Sequence, residues 1–255
     1  MTDFKSTERF SDRVVEYVRY RPDYPVAMLH WLQDTFAVTP QWQVADIGAG
    51  TGISSKLFLD GGYRVTAVEP NAPMREAAES WLGDNPRFRA VDGQATGTGL
   101  DSGSIDLVIA AQAFHWFDQD AARREFARIL RPDGLAAIIW NSRRLLGTPF
   151  LEGYEALLKQ YGTDYTSVAE RYGDEPGMRA WFGSGYRAMG RFDHGQRLDY
   201  DGVAGRLLSS SYAPREGHPQ HEPMMRALRD LFDRTAVDGR ISFDYDTVIF
   251  VGTLT

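Results

Sequence analysis

The residues best suited to chemistry stand in one run, Val44-Ala45-Asp46-Ile47-Gly48-Ala49-Gly50-Thr51-Gly52. An apolar strand-like segment leads into glycines at alternate positions, and a helix-like segment follows. Glycine tolerates positive φ and lets a ligand come close to the backbone. In a doubly wound sheet, the loop after the first strand borders the binding crevice. Glu69 ends the next strand-like run, about twenty residues on, where an acid can accept bonds from ribose hydroxyls. The pattern therefore specifies an adenosine-type ligand. It does not match the dinucleotide fingerprint G-x-G-x-x-G/A. Counted from Gly48 the third position is Ile53, and counted from Gly50 it is Ser55. An acid ahead of the loop would also repel a pyrophosphate, so Asp46 suits a ligand with a positive charge or an ammonium group. Farther along, His115 follows an apolar run. A histidine near its unperturbed pKa can take a proton from a substrate hydroxyl, or it can serve with Trp116 as a pocket wall. His218 and His221 have metal-ligand spacing but sit in a Pro-rich, Gly-containing loop, and no metal site is expected.

The elements that must hold these residues alternate. Helical patterns cover 4–21 (with Phe10, Val14, Tyr17 and Val18 near one face) and 26–36. Strands follow at Gln43–Ile47, Arg64–Val68, Phe88–Val91, Ile105–Ala110 and Leu135–Trp140. Helices are expected at Ser54–Asp60, Pro73–Leu82 and Ala121–Leu130, the last closed by Arg131-Pro132-Asp133-Gly134. The strands are short, unbroken apolar runs, as in a parallel sheet covered on both faces. Beyond 142 the alternation breaks. Helical stretches are expected near 150–161, 176–182, 201–210 and 223–235, with strands at Arg191–Leu198 and Asp246–Thr253. The final strands are expected to add to the sheet edge, the last one antiparallel.

Composition bounds the function. The chain has 255 residues, 28 basic and 35 acidic side chains, a formal charge of −7 and no cysteine. A thiolate nucleophile and Cys-ligated metals are thereby excluded. The acidic balance argues against a general nucleic-acid binder. No stretch approaches the roughly 20 apolar residues of a membrane span, and the N-terminus lacks a signal-peptide pattern, so a cytoplasmic location is expected.

The Asp46–Gly52 segment with Glu69 resembles the first two motifs of class I S-adenosylmethionine-dependent methyltransferases. Gly93-Gln94-Ala95 and Ile105-Asp106-Leu107-Val108 are similar to that family's adenine-flanking segment and fourth strand. Ala111-Gln112-Ala113-Phe114-His115-Trp116-Phe117 resembles the segment after strand four in the type-11 small-molecule branch, which includes trans-aconitate methyltransferase relatives. Tyr17, Tyr20 and Arg21-Pro22-Asp23-Tyr24-Pro25 resemble that branch's N-terminal lid. The resemblance implies an α/β fold: a doubly wound, mostly parallel seven-stranded sheet with an antiparallel last strand. It implies one domain, with a helical lid (1–40), a cofactor-binding core (41–141), an inserted cap (142–190) and C-terminal sheet completion (191–255).

By the same resemblance, S-adenosylmethionine is the cofactor and S-adenosylhomocysteine the product. Gly48, Gly50 and Gly52 would lie beneath the methionine portion, and Asp46 would orient its amino group. Glu69 would hold the ribose, with Pro70 beside it and Met74 near the adenine. Gln94 stands where many relatives carry Asp, so its amide would accept the adenine bond, next to Ala95. Gln112 would line the methionine end, and Arg21 would pair with the carboxylate of S-adenosylmethionine or with a substrate acid. His115 would be the catalytic base, and Tyr17, Tyr20, Trp116 and Tyr212 would face a small organic acceptor, methylated at oxygen in preference to carbon or nitrogen. A nicotinamide-dependent oxidoreductase and a non-catalytic S-adenosylmethionine-binding protein are the alternatives.

Overall fold

A computed structural model describes residues 20–163, 165 and 174–254. The expected helix at 4–21 therefore lies almost wholly outside the described residues, and Tyr17 with it. In chain order the elements are α1 (Val26–Phe36), β1 (Gln43–Ile47), α2 (Ile53–Asp60), β2 (Arg64–Val68), α3 (Ala72–Leu82), β3 (Phe88–Val91), β4 (Ile105–Ala111), α4 (Gln119–Ile129), β5 (Leu130–Arg143), α5 (Pro149–Tyr161), α6 (Glu175–Phe182), β6 (Tyr186–Leu198), α7 (Tyr200–Leu208), α8 (His221–Thr235) and β7 (Ile241–Gly252).

The strands form a seven-stranded sheet in the order β3-β2-β1-β4-β5-β7-β6. Neighbours from β3 through β5 run parallel, and β7 lies antiparallel between β5 and β6. The expected doubly wound sheet with an antiparallel last strand is thus the observed one. The chain order reverses between β1 and β4, and the crevice at such a switch point opens at the strands' carboxyl ends. The strands' C-terminal residues and the loops after them must therefore carry any site.

Burial on both faces explains why the central strands read as unbroken apolar runs. One face of β1, β4 and β5 packs Val44, Leu107, Ile109, Ala137 and Ile139 against α1 and α2. The opposite face packs Val108, Ala110, Ile138 and Trp140 against α4 and α6. A third apolar cluster joins α5, α7 and α8 to Ile241, Phe243 and Tyr245 of β7. The start of β7 lies at the same end of the sheet as the end of β5, because the two strands are antiparallel and Tyr245 pairs with Arg143. These helices therefore form a cap at the carboxyl edge.

Several element boundaries differ from the sequence expectation, for local reasons. Leu130 caps α4 with its N–H on the Phe126 carbonyl and at once begins β5; it pairs with Ile105, and the β4–β5 register shifts before Leu107 meets Leu135. The expected Arg131–Gly134 turn falls in that irregularity, with Asp133 at φ 66°. β6 begins at Tyr186 and β7 at Ile241, each five residues before the expected start. In β7 the added residues alternate Ile241, Phe243 and Tyr245 inward with Ser242 and Asp244, a period-two signal obscured by its polar half.

Candidate active site

The glycine loop leaves β1 at its carboxyl end, and the turn after β4 rests on it. Gly48 has φ 70°. A Cβ there would lie 2.6 Å from the Ala113 Cβ and 3.2 Å from the Phe117 ring, so the position is closed to any side chain by both space and conformation. Gly50 has φ 56°, and a Cβ there would touch only the Met74 sulfur, at 3.7 Å. One side of the loop is therefore packed and the other is open. Gly52, at φ 88°, begins α2.

Asp46 lies beneath the loop and is fully buried. Its Oδ2 accepts hydrogen bonds from Ser54 Oγ (2.6 Å) and Ser55 Oγ (2.7 Å), while Oδ1 has no partner. Burial, opposed only in part by the two hydroxyls, pushes its carboxyl up to about 6. Thr51 Oγ1, in the same loop, is likewise buried without a hydrogen-bond partner. A buried acceptor left open is costly unless a ligand or water completes it.

Glu69 closes the loop from the end of β2. Its Oε2 accepts from the Gly50 N–H at 2.8 Å and its Oε1 from the Asn71 N–H at 2.9 Å. Both oxygens keep lone pairs for further donors. Burial raises its carboxyl above the usual range, against the two N–H bonds. Asn71 caps α3 by accepting from the Met74 N–H, with Pro73 in the first turn. Pro70 lies half-buried in the bend between, and Met74 is buried against Gly50. Gln94, just after β3, is exposed and pairs its backbone with Gly97, while Ala95 beside it is buried. Asp46, Gly48, Gly50, Gly52, Glu69, Pro70 and Met74 thus gather around one loop, with Gln94 and Ala95 at the end of the adjacent β3.

Gln112 ends β4 at φ 58°, a left-handed conformation uncommon outside glycine. Its N–H donates to the Ile139 carbonyl (2.9 Å) and its Nε2 to the Asn141 carbonyl (2.7 Å), which hold the strained residue in place. The next residues form a single 3-10 turn, Phe114–Trp116. His115 and Trp116 are both half-buried, with ring centroids 4.8 Å apart. Because Ala113 and Phe117 flank this turn and touch Gly48, His115 belongs to the same crevice as the loop.

Among the expected lid residues, Arg21 donates to the Ser209 carbonyl at 3.0 Å, at the end of α7. The Tyr20 ring fills the space over Gly205, and its carbonyl accepts from Gln196. Tyr20 thus joins α7 to β6 and Arg21 holds the end of α7, away from Glu69's end of the sheet. Tyr212 is half-buried, its ring 5.0 Å from Tyr165.

Sequence reasoning missed five contributors. Ser54 and Ser55 hold Asp46; their only signal was paired hydroxyls behind a glycine loop. Asn141 is a buried hub whose Nδ2 donates to the Asp23 carbonyl (2.8 Å) and whose Oδ1 accepts from Thr247 Oγ1 (2.5 Å). It ties the segment before α1 over the carboxyl edge, and its signal was a lone amide closing an apolar strand. Arg206 is buried beneath the cap and Arg143 is half-buried there. Among the described residues no His, Asp or Glu group could hold a metal ion. His221 Nδ1 faces the Pro214 carbonyl and His218 Nδ1 accepts from the Gln220 N–H, so the two are engaged locally.

Known proteins share part of this sequence and its fold. Residues 45–138 match the family model described as a methyltransferase domain. An uncharacterised methyltransferase of Mycobacterium tuberculosis is 38% identical over 134 residues, 52% of this chain and 52% of that protein. A methyltransferase-like protein of Schizosaccharomyces pombe is 30% identical over 162 residues, 62% of this chain and 60% of that protein. The matches thus span roughly half to three-fifths of these curated relatives' lengths. A solved structure of a candidate type II methyltransferase from Anaeromyxobacter dehalogenans superposes with a TM-score of 0.68 at 24% identity, covering 92% of this chain and 98% of that one. A geranyl diphosphate methyltransferase solved with S-adenosylmethionine has a TM-score of 0.51 at 16% identity, covering 90% and 85%. Residues 45–138 thus match a methyltransferase domain, and the solved structures share the fold of the chain.

Proposed function

We propose that the chain transfers a methyl group from S-adenosylmethionine to an oxygen of a small organic acceptor. One observation carries the cofactor half. The Glu69 carboxylate is held by two backbone N–H groups beside the open face of Gly50, with the unpartnered Asp46 Oδ1 beneath the same loop. The residues fit the group. Glu69 offers acceptors for ribose hydroxyls, Asp46 an acceptor for an ammonium, and Met74 an apolar wall. When bound, S-adenosylmethionine supplies an electrophilic methyl on a sulfonium. The chain's own task is then to align an acceptor atom with that methyl and exclude water.

In this reading Gln112 lines the methionine end of the cofactor, Trp116 walls the acceptor side of the crevice, and His115 takes the proton from an acceptor hydroxyl. Tyr20, Arg21 and Tyr212 complete the acceptor side. A mechanism that needs no thiol suits a chain without cysteine.

The test is transfer of labelled methyl from S-adenosylmethionine to a panel of hydroxy acids, phenols and carboxylic acids. His115→Ala is expected to lower kcat for a hydroxyl acceptor about 100-fold, the lower end of general-base effects, with the KM for S-adenosylmethionine unchanged. Full turnover in the variant would remove His115 from the chemistry and leave it a wall.

A further inference from the structure

Beneath the cap lies a buried polar cluster that the cofactor half of the site does not use. Arg206, on α7, is 6% exposed. Its Nε donates to Tyr245 Oη at 2.9 Å and its Nη1 to Ser210 Oγ at 3.1 Å, both neutral partners. The guanidinium carbon lies 5.7 Å from the Phe243 ring centre and 5.9 Å from that of Tyr245. Among the described residues no carboxylate pairs with it. The nearby acid, Glu155, is already engaged by Arg143, by the Tyr165 hydroxyl and by Lys159. A buried cation normally has a charged partner, because neutral dipoles replace its hydration incompletely.

A second, independent observation points the same way. The Tyr154 hydroxyl is buried and has no hydrogen-bond partner. Its ring lies 5.0 Å from that of Phe243, the aromatic beside Arg206. Tyr154 and Tyr212 both stand close enough to Arg206 to feel its charge. A cation lacking a counter-charge and an unsatisfied hydroxyl therefore converge within aromatic walls. The cluster stands where β5 ends and β7 begins, at the same edge and on the same face of the sheet as Asp46.

We propose that this cluster is an anion pocket that anchors the methyl acceptor by a carboxylate, with Arg206 as the charge partner and the Tyr154 and Tyr212 hydroxyls as donors. The assignment of the ligand as acceptor rests on the methyltransferase function proposed above. A monoanion is favoured because Glu155 already balances Arg143, which leaves one uncompensated charge on Arg206. The aromatic walls favour a carboxylate borne on an apolar body.

Ligand-observed NMR and calorimetry on the full chain test this with matched probes: benzoate against benzamide, and octanoate against octanamide, each with and without S-adenosylhomocysteine. At least one carboxylate is expected to bind tenfold or more tightly than its amide. Arg206→Met should abolish that preference. Tyr154→Phe should weaken the carboxylate several-fold while leaving the melting temperature unchanged or raised, since it deletes only an unsatisfied hydroxyl. Equal binding of acid and amide, or unchanged carboxylate affinity in Tyr154→Phe, would overturn the proposal. Carboxylate binding without S-adenosylhomocysteine binding would instead uphold the pocket and refute the cofactor. The reverse result would refute the pocket alone.

Discussion

Glu69→Ala is expected to weaken S-adenosylhomocysteine binding by about 100-fold or more. A charge-assisted hydrogen bond to a hydroxyl contributes about 1.5–3 kcal/mol, and a carboxylate at the end of β2 can accept from both ribose hydroxyls. Two such bonds lost give at least about 3 kcal/mol, or two orders of magnitude in affinity. The variant also releases the Gly50 and Asn71 N–H groups that Glu69 now satisfies. Loop order is lost with them, and stability should fall by about 1–2 kcal/mol. Glu69→Gln keeps the length but must turn one NH2 toward a backbone N–H, so it too should bind poorly. Calorimetric titration beside a denaturant melt separates the two effects. Near-normal affinity in Glu69→Ala would remove the ribose role.

Asp46→Asn is expected to move stability and binding in opposite directions. Burial raises the folded-state carboxyl to about 6 from the ordinary 3.8. The folded chain therefore holds more protons than the unfolded chain between about pH 4 and pH 6. With the folded pKa raised, stability falls as pH rises through that window and stays lower above it. At about 1.4 kcal/mol per unit the cost at neutral pH is roughly 3 kcal/mol. The amide of Asn removes the charge while its oxygen still accepts from Ser54 and Ser55. The free variant should thus be more stable than wild type at pH 7.5, by about 1–3 kcal/mol, and the gain should vanish below about pH 4. Its affinity for S-adenosylhomocysteine should fall about 100-fold, because the ammonium loses its carboxylate. Wild-type affinity should decline roughly tenfold per unit as pH drops below 6. Urea midpoints and calorimetry across pH check both. A destabilised variant with unchanged affinity would make Asp46 a structural acid and nothing more.

The core was legible because its residues obey rules that are local in sequence. β1, β2 and β4 are short apolar runs bounded by glycine or polar turns, and the strained glycines show in the letters themselves. Glu69 was readable from its distance to the loop, and its end-of-strand position is as expected. The division of Asp46, with one oxygen on two serines and one open, was not readable, because it depends on the angle at which α2 leaves Gly52. Asn141 and Arg206 were hidden for a different reason. Their partners, Asp23, Thr247 and Tyr245, are distant in sequence and meet only through the β5–β7 pairing and the cap. The Gln112 backbone strain left no trace, since glutamine does not announce a positive φ. Tyr212 was expected to face an acceptor, but its neighbour Arg206, on α7, was not readable from the sequence.

The central claim is that the crevice between β1 and β4 holds S-adenosylmethionine, and calorimetric titration of the intact chain with S-adenosylhomocysteine tests it most directly. The account predicts saturable binding at one site per chain, in the micromolar range or tighter, absent for NAD under the same conditions. No heat at high micromolar ligand, or saturation by NAD in its place, would contradict it.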